Sequence, residues 1–512
     1  MLETYTLRRK DRLLLIFAAI VVSVPPIAIA HAAGTAEAAF ALSLREMMAS
    51  GNWLIPTVGG LPWTESSPLV QWVALLAART FGISSVVTAV RFAGLIPLVL
   101  ATLWTASFAA SCTGRRSGVI AGFVLMTTLG IAQNVWHGGN VIWLIAASCG
   151  FMKLLAGLEI RLQEKSLMSG LANASRKTRR ANTANVLFVF ALLGLVTLIA
   201  GPVAALVTVF LPAAAHVIFR QKQAFKLSNP WISGWLLTAI VAAAWPIAVS
   251  TIAEDASATW LSVLRNGSDA HNSGNQLWQL VQMSLPWLPL IILGQWSIRH
   301  DAFAGNHSRE RLLACWSIVI PVAVLLLTPS KMSFVLAAAG AWSVSAAIGV
   351  EWLARRVFQE LPLLETRHNR AIVHKFLVGC AAVLSLTTVW NDLRDTPQVD
   401  RALLAEARTV AEEGHSVLVD MKLGDQAAAI LLELDGLAVP MPPRYEPAVW
   451  ENVVIISSER LQQDGIEQRA GIRFWQPQSH SDSQSDLIMV RIEQAETSPV
   501  LQMASEPVPA RR

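Results

Sequence analysis

Long apolar runs separated by short polar or basic stretches organise the first 392 residues of the chain. Runs able to cross a bilayer as helices, which takes about 20 residues, fall near 13–32, 86–111, 117–135, 140–157, 185–200, 202–219, 231–251, 280–297, 312–328, 332–353 and 374–391. They predict eleven transmembrane helices, with proline interruptions at Gly201-Pro202 and at Pro286. Between the first two runs lies a long connection, residues 33–85. Its pattern predicts an amphipathic helix ending near Ser50-Gly51, an extended Trp53-Leu54-Ile55-Pro56 piece and a turn at Gly59-Gly60. Connections of this length inside a compact architecture are usually functional. A second long connection covers 252–283. After Asp392 the charge density rises and the apolar runs shorten. Helices over Leu403–Glu413 and Gln426–Leu434 are expected there, with strands near Ser416–Val419, Val453–Ser457, Ile472–Trp475 and Leu487–Ile492. Residues 393–512 thus read as a small soluble α/β domain ending in a loose Ser/Gln/Pro-rich tail.

Composition narrows the class. With 54% hydrophobic and 15% charged residues and a mean hydropathy of +0.48, the chain is neither a soluble globular nor a disordered protein. Its net charge of +5 is concentrated in alternate connections. Arg8, Arg9, Lys10 and Arg12 precede the first run, Arg115-Arg116 and the 161–180 stretch follow, and the series continues through Arg220, Lys222, Arg299, Arg309, Arg311, Arg355, Arg356 and Arg367. Cationic connections stay on the cytoplasmic side. The N-terminus is therefore expected inside and the C-terminal domain outside, in a multi-pass membrane protein. The positive charge belongs to those loops and to lipid contact, and implies no nucleic-acid partner. The first run reads as a retained anchor rather than a cleaved signal peptide. Cys112, Cys149, Cys315 and Cys380 all fall in or beside apolar runs, without metal-ligand spacing, and read as packing residues.

The 33–85 connection also carries a resemblance. Arg45-Glu46-Met47, Ser50-Gly51-Asn52-Trp53-Leu54-Ile55-Pro56-Thr57, Gly60, Pro62, Glu65 and Pro68-Leu69 match over about 35 positions. They resemble the first periplasmic loop of the glycosyltransferase 39 group, which holds the protein O-mannosyltransferases and the lipid A aminoarabinose transferases. Trp245-Pro246, Pro286-Trp287 and Thr328-Pro329-Ser330-Lys331-Met332 are similar to further family segments. The resemblance implies a polytopic α-helical protein of the C-type glycosyltransferase fold. It also implies transfer of a sugar from a polyprenyl phosphate to a lipid, glycan or protein acceptor. The chain departs from the family pattern at Ala36 and Asn140, where acids are usual, and at Ser66, Ala200 and Ser333, where lysine, lysine and proline are usual.

Such chemistry needs a carboxylate to orient or deprotonate the acceptor, and Glu37 and Glu65 are the candidates. It needs donors or cations for the leaving lipid phosphate, for which Lys331, Arg265 and His271 stand in the outside connections. Arg91, His137 and Asn140 are candidates for positioning the acceptor or the loop. Each has a plainer reading: solvated loop carboxylates for Glu37 and Glu65, membrane-edge anchors for Lys331 and Arg91, and an interfacial polar residue for His137. Glu46 reads as a surface residue or a partner in the neighbourhood of Arg45. The lipid-linked sugar is a substrate, so no cofactor is expected, and no cluster suggests a metal. A second reading keeps the fold without the reaction, as a lipid-carrier-binding or accessory paralogue. A transporter is a third reading, and the nearly uncharged spans speak against it.

Overall fold

The structure is a computed structural model of the 512-residue chain. It describes residues 6–28, 35–63, 67–136, 139–167, 176–219, 229–251, 273–303 and 308–360. In the C-terminal part it describes 401–413, 417–420, 425–434, 437–441, 453–457, 472–475 and 487–492, together with 379, 383 and 423. Two compact units are formed. One comprises Met1–His31, Met47–Pro56 and Pro62–Asp395, and the other Ala32–Glu46, Thr57–Leu61 and Thr396–Arg512.

The first unit is helical. Its elements are α1 (Arg9–Ala28), α3 (Leu69–Phe81), α4 (Val86–Thr113), α5 (Arg115–Thr127), α6 (Leu129–Trp136), α7 (Asn140–Leu167), α8 (Arg176–Ala205), α9 (Leu211–Ile218), α10 (Asn229–Ser250), α11 (Ser273–Ser284), α12 (Leu288–Phe303), α13 (Ser308–Leu327) and α14 (Ala339–Glu360). The helix α2 (Thr35–Ser50) contributes to both units. Among the described residues six helical segments are long and apolar enough to cross a membrane, or seven if the bent pair Gln276–Ser284 and Leu288–Ile298 is one span. The expected eleven are not reproduced: run 13–32, described as α1 as far as Ala28, is not among these segments, and most of the other differences have local causes. Run 117–135 breaks at Thr128, whose extended backbone (ψ 125°) ends α5 and leaves two helices too short to span. Runs 185–200 and 202–219 join into one apolar segment, Thr183–Ile218, interrupted where Gly201 leaves the helical region (φ 85°, ψ 169°). Run 280–297 bends by 87° around Ser284–Leu288, where Pro286 has no N–H to continue a helix. Run 374–391 lies outside the described residues except Gly379 and Val383. Hydropathy reports length and apolarity, and is blind to such breaks.

The helices pack closely. Trp316, fully buried on α13, meets Phe108 of α4 edge-on at 6.0 Å and donates its indole N–H to the Ala337 carbonyl at 2.9 Å. α12 and α14 touch backbone to backbone: a Cβ on Gly294 would lie 1.8 Å from the Ser345 carbonyl oxygen, and one on Gly349 would lie 2.2 Å from that of Leu290. Small residues at such crossings let helices associate where lipid offers no hydrophobic drive. α1 exposes Leu13, Leu14, Phe17, Ile20, Val21 and Val24, an i, i+3/i+4 stripe of the kind lipid covers. Just before that stripe, Asp11 accepts two hydrogen bonds from the Arg115 guanidinium, the Nη2 one at 2.6 Å, and a third from the Arg8 backbone N–H at 3.0 Å. The guanidinium bond holds the Asp11 carboxyl below its ordinary range, against a burial effect of opposite sign.

The second unit is built on a five-stranded sheet of order β4-β3-β5-β7-β6. Its strands are β3 (Val417–Val419), β4 (Ala438–Pro440), β5 (Val453–Ser457), β6 (Ile472–Trp475) and β7 (Leu487–Ile492). β3 pairs in parallel with β4 (Val417 opposite Ala438) and with β5 (Val417 opposite Val453). β7 runs antiparallel to β5 (Val453 opposite Arg491) and to β6 (Ile472 opposite Ile492). Two helices accompany the sheet, α15 (Arg401–Glu412), which buries Leu403, Ala407 and Val410, and α16 (Asp425–Glu433), which buries Ala427 to Leu431. In α15 the i, i+4, i+7 spacing is the amphipathic pattern of a helix with one buried face, whereas α16 buries five residues in a row. β4 is the strand the sequence pattern misses, because three residues with Pro440 at the end carry too little alternation.

Candidate functional site

The 33–85 connection folds by local rules. α2 ends at Gly51 (φ 70°), whose N–H reaches the Met47 carbonyl at 3.1 Å. Asn52 then turns the chain: its side-chain oxygen accepts from Leu54 N–H at 3.1 Å and Ile55 N–H at 3.3 Å. A two-stranded ribbon follows, β1 (Thr57–Val58) and β2 (Leu61–Pro62), turning at Gly59-Gly60 as the pattern predicts.

Two tryptophans hold the extended piece. Trp72 on α3 donates its indole N–H to the Trp53 carbonyl at 2.8 Å, and Trp245 on α10 donates to the Leu54 carbonyl at 3.0 Å. Ile55 is buried with Trp245 and Val249 in a small satellite core, while Arg79 lies 5.2 Å over the Trp53 ring. The Trp245-Pro246 segment noted in the sequence is thus a fastening point for the loop.

Glu46 differs from its surface reading. Its carboxylate accepts from the Thr57 hydroxyl, from Gly59 N–H at 2.7 Å and from Gly60 N–H at 3.2 Å, so that it grips the ribbon turn as an anion in a nest of donors. Beside it, Arg45 donates to the Leu431 carbonyl at 3.2 Å in the last turn of α16, a favourable place for a cation. The Arg-Glu pair in the family-like motif is therefore structural glue within the second unit.

The predicted site residues are placed as follows. Glu37 sits in the first turn of α2, wholly buried, with its carboxylate engaged rather than free. The helix around it is buried on every side from Glu37 to Leu44. Arg91, near the start of α4, is 2% exposed and likewise engaged. Asn140 opens α7, with its Oδ1 buried and unpaired, and Trp143 one turn on also has a buried indole N–H without a partner. The backbone of Lys331 belongs to a 3₁₀ helix over Pro329–Ala338 that leads into α14, and the Thr328 hydroxyl before it is buried and unpaired. Glu65, His137, Arg265 and His271 lie outside the described residues. Glu37 belongs to the second unit, and Arg91, Asn140 and Lys331 to the first.

Elsewhere in the first unit, Trp287 donates to Thr127 Oγ1 at 3.0 Å, and Leu129 N–H reaches the Leu285 carbonyl at 2.8 Å. The Pro286-Trp287 bend is thereby fastened to the break between α5 and α6. Sequence reasoning passed over Ser67 and Gln71, both buried and both without hydrogen-bond partners. The available signal was a glutamine on the otherwise apolar buried face of α3.

No family model matches the chain. An undecaprenyl phosphate-α-4-amino-4-deoxy-L-arabinose arabinosyl transferase of Edwardsiella ictaluri is 32% identical over 122 residues, which is 22% of this chain and 21% of that protein. The match thus spans about a fifth of that relative's length. Among solved structures, ArnT from Cupriavidus metallidurans bound to undecaprenyl phosphate superposes with a TM-score of 0.63 at 14% identity, over 93% of this chain and 97% of that one. The oligosaccharyltransferase of Archaeoglobus fulgidus in its apo form gives 0.56 at 13% identity, over 88% of this chain and 70% of that one. The chain therefore shares the fold of these solved structures, a polytopic α-helical membrane architecture with a small β-containing region.

Proposed function

We propose that the protein is an integral membrane glycosyltransferase of the group 39 kind, which moves a sugar from a polyprenyl-phosphate donor to a hydroxyl or phosphate acceptor at the outer face of a bacterial inner membrane. The observation that carries this reading is the fold shared over nearly the whole length with an ArnT solved with undecaprenyl phosphate bound. The short sequence match to an arabinosyl transferase supports it from a second direction. In this reading the acceptor oxygen attacks the anomeric carbon, the bond from that carbon to the phosphate oxygen breaks with inversion, and the polyprenyl phosphate leaves. Glu37, with Glu65, orients the acceptor and takes its proton. Lys331, Arg265 and His271 meet the charge that develops on the departing phosphate, while Arg91, His137 and Asn140 position the acceptor and the loop. The buried setting of Glu37 favours such a role, since a carboxylate removed from water is held for a purpose or is costly. The N-terminus lies on the inside. Residues 1–392 form the membrane domain, with outside loops at 33–85 and 252–283, and 393–512 form an external domain.

The test is transfer of radiolabelled sugar from polyprenyl phosphates by the purified protein in lipid. Glu37→Gln is expected to lower kcat by at least about a hundredfold. Lys331→Ala should weaken donor use. Asn140, standing where the family carries an acid, favours the second reading, a carrier-binding paralogue without turnover. Polyprenyl-phosphate binding with no transfer from any donor would select that reading instead.

A further inference from the structure

Gln71 lies in the first turn of α3, and Ser67 stands two residues before the helix, just ahead of its N-cap Pro68. Ser67 is 1% exposed and Gln71 0%, and neither the Ser67 hydroxyl nor either end of the Gln71 amide has a hydrogen-bond partner. The other buried residues of α3 are Val70, Ala74, Ala77 and Ala78, and none of their side chains answers an amide. A buried amide with both ends vacant is expensive, and native proteins rarely keep one without a use. The other side of α3 is accounted for: Trp72 is bonded to the Trp53 carbonyl, Arg79 lies over the Trp53 ring, and Leu76 and Phe81 are exposed. The helix is thereby tied to the extended Trp53–Pro56 piece, and Ser67 stands two residues after Glu65.

We propose that Ser67 and Gln71 form a subsite for the hydroxyl groups of the transferred sugar. The inference rests on the donor reading above and adds a specificity determinant to it. The chemistry of the pair sets the ligand class. Gln71 offers one acceptor and two donors, and Ser67 one of each kind, with no charge. Neighbouring sugar hydroxyls, which both donate and accept, satisfy that set, whereas a phosphate only accepts and would leave the Gln71 Oε1 vacant. Because the pair is closed to solvent, the sugar must displace packed groups to reach it.

Thermal unfolding of the full-length protein in nanodiscs tests this without requiring turnover. The ligands are bare undecaprenyl phosphate and undecaprenyl phosphates carrying glucose, mannose or 4-amino-4-deoxy-L-arabinose. Wild type should be stabilised further by at least one glycosylated lipid than by the bare one. Gln71→Leu should unfold at a higher temperature than wild type when empty and keep the shift with bare lipid. Its preference for the glycosylated lipid should fall by about tenfold or more. Ser67→Ala, a smaller change that keeps the fold if leucine does not fit, should lose part of the same preference. A preference retained in both variants overturns the subsite. A wild type that responds to bare lipid and equally to every glycosylated one overturns the subsite alone, and no response to any lipid overturns the donor reading with it.

Discussion

Replacing Trp245 by Phe probes how the 33–85 connection is held. The indole N–H of Trp245 meets the Leu54 carbonyl at 3.0 Å, and the residue is 5% exposed beside Ile55 and Val249. Phenylalanine keeps most of the apolar contact but leaves that carbonyl without its donor in a site largely closed to water. An unsatisfied buried group of this kind costs about 1–3 kcal/mol. Trp72 makes the analogous bond to Trp53 at 2.8 Å, but in an exposed setting. Water replaces it there, and Trp72→Phe should cost about 0.5 kcal/mol or less. The reporter is the Trp63 amide, which closes the ribbon on the Pro56 carbonyl at 2.8 Å. With about 1.4 kcal/mol per tenfold, Trp245→Phe should speed hydrogen exchange at Trp63 by roughly 5- to 150-fold where exchange follows local opening, and Trp72→Phe by no more than about threefold. Equal effects of the two variants, or none from Trp245→Phe, would refute the claim that the buried indole is the principal fastening.

Three other outcomes follow from the geometry. Gly294→Ala places a methyl 1.8 Å from the Ser345 carbonyl oxygen, so α12 and α14 must part. Overpacking of this kind costs about 1–3 kcal/mol or more, and a lowered melting temperature or yield of folded protein checks it. Glu46→Ala removes an acceptor shared by Thr57, Gly59 and Gly60, and should loosen the ribbon by about 2 kcal/mol, with Glu46→Gln falling between Ala and wild type. Proteolytic cleavage within 57–62 measures this, and identical cleavage in all three proteins would remove Glu46 from the role. Asp11 has a folded-state pKa below its ordinary 3.8 because of Arg115. Its pairing therefore contributes stability above the unfolded value and loses that contribution as pH falls through the folded one. Asp11→Asn should lower the melting temperature at pH 6 and flatten its decline below about pH 4. A decline unchanged by the substitution would refute the assignment.

The local pattern of the chain determined its class and many of its pieces. Apolar runs of bilayer length, cations in alternate connections and low charge density fix a polytopic membrane protein, because these follow from solvation and need no knowledge of partners. The end of α2 at Gly51, the Gly59-Gly60 turn and strands β5, β6 and β7 were equally legible, since each is set by near neighbours in sequence. The tertiary structure decided what depends on distant residues. It broke the run at Thr128, where Leu129 N–H turns to the Leu285 carbonyl, and it placed Glu46 in a nest of donors from a ribbon eleven to fourteen residues away. It fastened Leu54 to Trp245, 191 positions along the chain. It also left Gln71 buried without a partner. Solvation is a property of each residue and can be read in order, whereas a hydrogen bond needs two groups, and only the folded chain decides which pairs meet.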